Sequence, residues 1–121
     1  MTTLQKTIGD HAEEDALKFL TQKGLRLLEK KFACKVGEID LIMQDSNDIV
    51  FVEVRARKKS SFGTAAESIT PQKIKKIVRT ATIYLQRRNC LHKVHSRFDV
   101  VAIDFSNQQI EITWYKNAFT A

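Results

Sequence analysis

The sequence contains few of the residues that stiffen, loosen or cross-link a chain, with one proline, four glycines and two cysteines in 121 residues. Two cysteines outside any C-x-x-C pair exclude the disulfide framework of a small secreted domain, so we expect reduced thiols. No apolar run approaches the roughly 20 residues of a transmembrane helix, and residues 1–8 lack the features of a secretory signal. We therefore expect a cytoplasmic protein that is not associated with a membrane.

The residues that are abundant indicate one folded domain with an anionic partner. Lys and Arg number 20 against 14 Asp and Glu, which gives a net charge of +6. Hydrophobic residues make up 43% of the chain, which is enough for one core and too much for an intrinsically disordered protein. A chain of this length predicts a single domain over residues 1–121. The positive charge favours nucleic acid as a partner, although mild basicity without a special role is also common in small domains.

Hydrophobic periodicity and turn residues predict an α/β fold in the order αβββαββ, with a central mixed sheet flanked by helices. The predicted elements are a helix over Leu4–Lys23 that ends at Gly24, strands over Leu25–Cys34, Val36–Met43 and Ile49–Arg57, a loop over Lys58–Thr64, a helix from Pro71 to near Asn89, and strands over Phe98–Phe105 and Ile110–Tyr115. Thr70 before Pro71 is a candidate N-cap, which marks the start of the second helix.

Acidic residues occupy positions where the pattern predicts a hydrophobic core. Glu53 interrupts an apolar strand, and Asp40 lies among Ile39, Leu41 and Ile42 on the strand before it. Because a short turn joins these strands, we expect them to pair antiparallel and to bring Asp40 near Glu53. Glu13 falls beside the apolar stripe of the first helix. Three inward carboxylates are the hard oxygen ligands that Mg²⁺ or Mn²⁺ prefers.

Basic side chains flank these acids and leave two interpretations open. Arg55, Arg57 or Lys73 can neutralise the carboxylates in a salt-bridge cluster without any metal. Alternatively, the basic residues contact a phosphate backbone, which gives salt-dependent binding without sequence preference. The candidate nucleic-acid-binding residues are Arg57, Lys58, Lys73, Lys75 and Arg79.

Two stretches of the chain carry a resemblance to known proteins. The sequence GEIDLI at 37–42, followed by FVEVRAR at 51–57, resembles the motif of the PD-(D/E)xK nuclease superfamily. More narrowly, the chain is similar to the YraN family of small bacterial proteins, which is related to archaeal Holliday-junction resolvases. The first helix over 9–24, Phe62-Gly63, Lys73 and the sequence RFDVV at 97–101 extend the likeness over most of the chain. The resemblance implies a restriction-endonuclease-like fold.

The resemblance also implies an activity, namely a Mg²⁺- or Mn²⁺-dependent endonuclease that hydrolyses DNA phosphodiester bonds, with branched or structured DNA as substrate. Asp40 and Glu53 match the metal-binding acids of the motif, and Glu13 matches the first-helix acid of the resolvase-like branch. Arg55 stands where the motif has a lysine that positions or activates the attacking water. Arginine stays protonated, so Arg55 cannot be a general base, but it can stabilise negative charge in the transition state. Lys73 is a candidate for the lysine's role.

Arg55 keeps a second function open, which is a catalytically inactive nuclease-fold module that binds nucleic acid. In that case the carboxylates form an ion-paired core, and replacing Asp40 destabilises the fold more than it weakens binding. The oligomeric state is open as well. Resolvase-like relatives dimerise to place two sites on a symmetric junction, so by analogy a homodimer is one alternative for this chain.

Overall fold

The computed structural model describes residues 3–58, 65–106 and 109–120, with side chains described from residue 11 onward. In chain order the elements are α1 (Thr3–Gln22), β1 (Arg26–Ala33), β2 (Glu38–Asp45), β3 (Asp48–Lys58), a 3-10 helix (Ala66–Ser68), α2 (Pro71–Arg87), β4 (Ser96–Ser106) and β5 (Gln109–Phe119). The predicted αβββαββ order is confirmed. Lys58, expected in a loop, is the last residue of β3, and residues 59–64 of that loop lie outside the described ranges.

The described strands form one five-stranded mixed sheet in the order β1-β2-β3-β4-β5. Neighbouring strands pair antiparallel except for β3 and β4, which are parallel. A tight turn cannot join parallel strands, and α2 lies in the connection between these two. Strands β2, β3 and β4 lie inside the sheet, and most of the central residues of β3 and β4 are buried.

A helix covers each face of the sheet, which gives the restriction-endonuclease-like architecture. On one face, Ala16 and Leu20 of α1 pack against a cluster that contains Leu41, Val52 and Val101. The opposite face holds a second cluster, whose members are Phe32, Ile39, Ile42, Phe51, Ile77, Ala81, Tyr84, Leu85 and Phe98. Within the described ranges, no helix has both the length and the apolar character needed to cross a membrane.

Local signals in the sequence set the ends of both helices. Gly24 adopts a positive φ of +100° after α1, and the amide of Leu25 donates to the carbonyl of Leu20 at 3.1 Å. This pattern is a Schellman motif, in which glycine takes the left-handed position without a steric penalty. At the start of α2, the amide of Lys73 donates to Thr70 Oγ1 at 3.2 Å. The predicted cap is confirmed, and it places Lys73 in the first turn of α2.

Gly37 allows α2 to approach the segment that leads into β2. A Cβ atom at this position would lie 3.0 Å from Thr80 Oγ1. Thr80 is fully buried, and its hydroxyl donates to the carbonyl of Lys76 at 2.7 Å, so it has little freedom to move away. The glycine of the GEIDLI sequence is therefore a packing requirement three residues before Asp40.

Candidate active site

The two motif carboxylates meet where β2 and β3 stop pairing. The antiparallel register between these strands ends at Leu41 and Val52, whereas β3 continues to pair with β4 as far as Lys58. Asp40 is the first residue on the unpaired side, and its Oδ2 accepts the amide of Val54 at 2.8 Å. Glu53 has a relative exposure of 3%. The end of the ladder thus creates a gap in the sheet with two acids at its mouth.

Asp40 and Glu53 share a proton. Burial raises the pKa of Glu53 to about 8, and a hydrogen bond to Asp40 and the charge of Asp40 raise it as well, against the opposing effect of Lys73 and Arg55. Two carboxylates held together in a poorly solvated place cannot both ionise at neutral pH. The predicted approach of Asp40 to Glu53 across the two strands is confirmed, and the contact is an acid–carboxylate hydrogen bond.

Glu13 on α1 interacts electrostatically with Asp40. It is half-buried, as expected for a residue beside the apolar stripe. Burial raises the pKa of Glu13, and the charge of Asp40 raises it further, while Lys31 opposes the shift. Its neighbour Glu14 is exposed and lies 4.0 Å from the imidazole of His11. Of these two adjacent acids, the structure therefore links Glu13 to the carboxylate pair.

The pair has the donor chemistry of a site for a hard divalent cation. Among the described residues, no group of three or more His, Cys, Asp or Glu side chains is close enough to hold a metal ion. Mg²⁺ is usually bound by only one or two protein carboxylates, with water and substrate phosphate oxygens as the other ligands. Burial is the main cause of the raised pKa of Glu53, and its hydrogen bond to Asp40 and the charge of Asp40 add to it, so a cation between the two carboxylates would favour their charged forms. Asp40 and Glu53 therefore fit such an ion.

Lys73 is the basic residue that the structure places against the pair. Its Nζ lies 3.5 Å from Glu53 Oε2, and 39% of its side chain is exposed. The Thr70 cap holds its backbone, and the side chain reaches back over the sheet to the buried acid. The predicted contact of Lys73 with the carboxylates is therefore present, and it is an ion pair when Glu53 is ionised. The same contact brings a lysine to the acids although the motif position holds an arginine.

Arg55 is directed to the 3-10 helix. Its Nε donates to Ser68 Oγ at 3.0 Å, and Ser68 Oγ in turn donates to the carbonyl of Ala65 at 2.6 Å. The guanidinium still lowers the pKa of Glu53 through its charge. Arg55 therefore acts on the acids electrostatically while its hydrogen bonds secure the segment that follows residue 64.

The other predicted nucleic-acid-binding residues lie near the surface. Arg57 is half-buried on the same face of β3 as Glu53 and Arg55, because side chains alternate along a strand. Lys58 at the end of β3 and Lys75 and Arg79 on α2 are exposed. The structure brings Lys73 to the carboxylates and leaves Lys75 and Arg79 on the solvent side of the helix. Their role in binding stays a prediction.

Sequence reasoning assigned no role to two buried aspartates on β4. Asp99 is fully buried and accepts hydrogen bonds from Arg97 Nε at 3.0 Å, Trp114 Nε1 at 2.9 Å and the amide of Asn117 at 2.9 Å. Asp104 accepts the amide of Ala65 at 2.7 Å. Both acids interrupt an apolar strand, which is the same signal that identified Glu53. They tie neighbouring segments to the sheet.

Comparison with known proteins supports the resemblance found in the sequence. A family model described as "Uncharacterised protein family UPF0102" matches residues 12–103. A UPF0102 protein from Herminiimonas arsenicoxydans is 46% identical over 116 residues, which cover 96% of this chain and 89% of that protein. A UPF0102 protein from Janthinobacterium sp. is 48% identical over 119 residues, covering 98% and 92% of the two chains. The matched range contains the carboxylate pair, Glu13, Arg55 and Lys73.

Proposed function

The chain belongs to the uncharacterised protein family UPF0102, the YraN family that its sequence resembles, and we propose that it is a metal-dependent endonuclease acting on branched or structured DNA. The observation that carries the proposal is the proton-sharing pair of Asp40 and Glu53 in the gap between β2 and β3, with Lys73 beside it. A restriction-endonuclease-like sheet supports the pair, and a net charge of +6 suits a polyanionic substrate.

In this proposal Asp40 and Glu53 hold Mg²⁺ or Mn²⁺, and Glu13 supports the site from α1. When bound, such an ion lowers the pKa of its water and neutralises charge on the scissile phosphate. The proton that Glu53 shares with Asp40 is released as the carboxylates take up the ion. The backbone amide of Val54, which donates to Asp40, holds that carboxylate in one orientation throughout.

The basic side chains divide into two roles. The Lys73 ammonium adds positive charge next to Glu53, where it stabilises negative charge that develops on the phosphate. Arg55 contributes charge from a fixed position and keeps the 3-10 helix beside the site. Arg57, Lys58, Lys75 and Arg79 contact the phosphate backbone away from the scissile bond. A homodimer would present two such sites to a symmetric branched substrate.

A cleavage assay with matched variants tests this function. The substrates are a labelled four-way junction, a forked duplex and a blunt duplex that share one strand, each with Mn²⁺, Mg²⁺ or EDTA. We expect metal-dependent cleavage of the branched substrates, slowed about a hundredfold or more by Asp40→Asn, since the metal contributes several kcal/mol to the transition state. Asparagine can still accept the Val54 amide, so circular dichroism should not change.

Glu14→Gln is the control. Glu14 is an exposed acid next to Glu13, so this variant should cleave at the same rate as wild type. Absence of cleavage on all three substrates under every metal condition would contradict the proposal. Equal cleavage by wild type and Asp40→Asn would also contradict it, because the activity would then come from another site or from a contaminant.

A nuclease-fold module that binds nucleic acid without cutting it is the second candidate. The specific observation in its favour is that Arg55 stands in place of the motif lysine and donates hydrogen bonds to Ser68. This function predicts binding of branched DNA that does not depend on divalent ions, together with loss of folding stability in Asp40→Ala. The assay above separates the two candidates.

A further inference from the structure

A cavity of about 460 Å³ lies between the 3-10 helix, the start of α2 and strands β4 and β5. Its walls combine apolar, aromatic and basic side chains, among them Ile74, Val100, Tyr115, Lys116, Ala118 and Phe119. The volume lies within the range of small-ligand sites, roughly 300–1,000 Å³. In the described part of the chain, no residue of the candidate active site lines this cavity.

The cavity adjoins the carboxylate pair. Val100 on its wall is the register partner of Glu53 in the parallel pairing of β3 and β4, so the two side chains lie next to each other on the face that α2 covers. Ile74 follows Lys73 in the first turn of α2. Ala66 belongs to the 3-10 helix that Arg55 holds through Ser68. The cavity therefore adjoins the strand position of Glu53 and the helix turn of Lys73, whose side chains lie outside its lining.

A bulge in β5 shapes the wall opposite α2. Phe98 pairs with Phe119 and Val100 pairs with Tyr115, so residues 116–118 lie opposite the single residue Asp99. The buried Asp99 carboxylate accepts the amide of Asn117 at 2.9 Å, and Asn117 has a positive φ of 52°. A fully buried and multiply bonded aspartate thus holds the bulge in place. Bulges of this kind re-aim side chains near functional sites.

Two aromatic side chains on the cavity wall, Tyr115 and Phe119, offer rings on which a planar ligand can stack. Phe119 is fixed by stacking on Phe98, with ring centroids 5.1 Å apart and an interplanar angle of 19°. Tyr115 has a relative exposure of 41%, so one part of its ring is open to solvent. A nucleobase gains stacking energy on such rings, and the Lys116 side chain on the cavity wall offers positive charge to its phosphate. An acyl chain would gain nothing from that neighbouring charge.

We propose that this cavity receives an unpaired nucleobase next to the scissile phosphate, and so makes the protein select DNA with unstacked bases. The proposal rests on the proposed nuclease function, because it places the base beside the reacting phosphate. Duplex DNA would have to flip a base out at an energetic cost before it could use the cavity. Branch points, forks and single-stranded ends offer such a base without that cost.

Equilibrium binding in EDTA tests the proposal without cleavage. A forked duplex with 2-aminopurine at an unpaired position next to the branch is compared with a blunt duplex of the same length. We expect wild type to prefer the fork and to quench the 2-aminopurine fluorescence by stacking. Tyr115→Ala should weaken binding of the fork about tenfold and abolish the quenching, with no change for the blunt duplex. Tyr115→Phe should retain both properties.

Ala118→Leu is a second variant, which narrows the cavity from an exposed strand position and should act like Tyr115→Ala. Ile110→Ala removes another exposed β5 side chain, with a relative exposure of 50% and no place in the cavity wall, and should match wild type. The proposal is overturned if Tyr115→Ala and Ala118→Leu leave the preference for the fork intact, or if they weaken fork and blunt duplex equally.

The two proposals fail in different ways. Quenching that depends on Tyr115 in a protein that never cleaves DNA would overturn the nuclease function and leave the base-binding cavity standing. In the other case, Asp40→Asn slows metal-dependent cleavage while Tyr115→Ala keeps the preference for branched DNA. That result would overturn the base-binding role of the cavity and leave the nuclease function standing.

Discussion

Glu53 is protonated at neutral pH, at which an exposed glutamate is ionised. Burial is the main cause, and Asp40 adds to it through a hydrogen bond and its own charge, so that the pKa of Glu53 is about 8 instead of 4.5. A buried acid in this state costs stability whenever the pH forces it to ionise. Such an arrangement suits a residue whose charged form is needed only when a cation is present.

The shifted pKa predicts how stability depends on pH. Between about pH 5 and pH 8 the folded chain keeps the Glu53 proton that the unfolded chain has lost. The free energy of unfolding should therefore fall as the pH rises, by up to about 1.4 kcal/mol per pH unit from this group. Urea unfolding in EDTA at several pH values measures the slope for wild type and for Glu53→Gln.

Glutamine cannot titrate and can still donate to Asp40, so the variant should lack this part of the slope. Wild type and Glu53→Gln with parallel stability curves over that range would show that Glu53 is ionised in the folded protein. In that case Asp40 and Glu53 would not share a proton.

Lys73 should lower the pKa of Glu53, against the effects of burial and of Asp40. Its ammonium, 3.5 Å away, lowers the pKa of the acid, so Lys73→Met should move the midpoint above the value of about 8 that wild type has. Carbon-detected NMR of the Glu53 carboxyl group over a pH series measures the midpoint. Lys93→Met is the control, since it removes one exposed positive charge from the turn after α2. An unchanged midpoint in Lys73→Met would mean that the ion pair does not form in solution.

Among the structural elements, two features position the site: the point at which β2 stops pairing with β3, and the packing of α2 against the segment before β2. The ladder ends at Leu41 and Val52, and Gly37 lies against Thr80 just before this point. The helix that carries Lys73 thus contacts the segment that leads to Asp40. The position of α2 and the geometry of the carboxylate pair are coupled through this one close approach.

Gly37→Ala should destabilise the fold by about 1–3 kcal/mol, which is a usual cost of overpacking. The added Cβ would meet Thr80 Oγ1 at 3.0 Å, and Thr80 is fully buried. Urea unfolding of Gly37→Ala, Thr80→Ala and the double variant measures the coupling between the two positions. The loss caused by Gly37→Ala should be smaller when Thr80 is already alanine.

Gly24→Ala is the contrasting control. Its Cβ would meet nothing within 4 Å, but φ is +100°, so its cost comes from backbone strain. That cost should not change with the Thr80 variant. Simple additivity of Gly37→Ala and Thr80→Ala would contradict the close-packing explanation.

Much of this fold is predictable because its signals are local. Thr70, Pro71 and Gly24 mark helix ends through backbone hydrogen bonding within a few residues, and period-two patterns locate the strands. The 3-10 helix was missed because long-range bonds from Arg55 and Asp104 hold it. The β5 bulge was missed for the same reason, since it depends on Asp99 in a different strand.

The candidate site was predictable in part. Acids in apolar strands pointed to Asp40 and Glu53, and pairing across a short turn predicted their approach. The outcome for Arg55 and Lys73 depended on tertiary geometry, because a side chain's direction at the end of a strand or helix is set by packing. Asp99 and Asp104 gave the same sequence signal as Glu53 and have structural partners, so a buried acid alone does not identify a site.

Across the described part of the molecule, the buried charged residues are all acidic, namely Glu53, Asp99 and Asp104. Glu53 is buried and Asp40 half-buried, whereas Lys58, Lys75 and Arg79 are exposed. The surface that meets solvent is therefore more basic than the net charge of +6 suggests. Such a surface favours phosphate contacts that release counterions.

DNA binding should accordingly weaken as salt increases. The logarithm of the association constant should fall linearly with the logarithm of salt concentration, and Lys75→Ala and Arg79→Ala should each make the slope shallower by about 1. Fluorescence anisotropy in EDTA over a salt series measures this. Lys23→Ala, at an exposed position that the site does not include, serves as the control. Slopes that are equal in all four proteins would exclude a phosphate contact at Lys75 and Arg79.

Calorimetric titration with Mn²⁺ near pH 7 measures whether Asp40 and Glu53 together bind a divalent cation. The titration is run in two buffers with different heats of ionisation, for wild type, Asp40→Asn, Glu53→Gln and Glu14→Gln. We predict one Mn²⁺ per chain for wild type and Glu14→Gln, with release of the proton that Glu53 holds, and loss of binding in both other variants. Binding that survives Asp40→Asn and Glu53→Gln, or no binding by wild type, would show that these two carboxylates do not form a cation site.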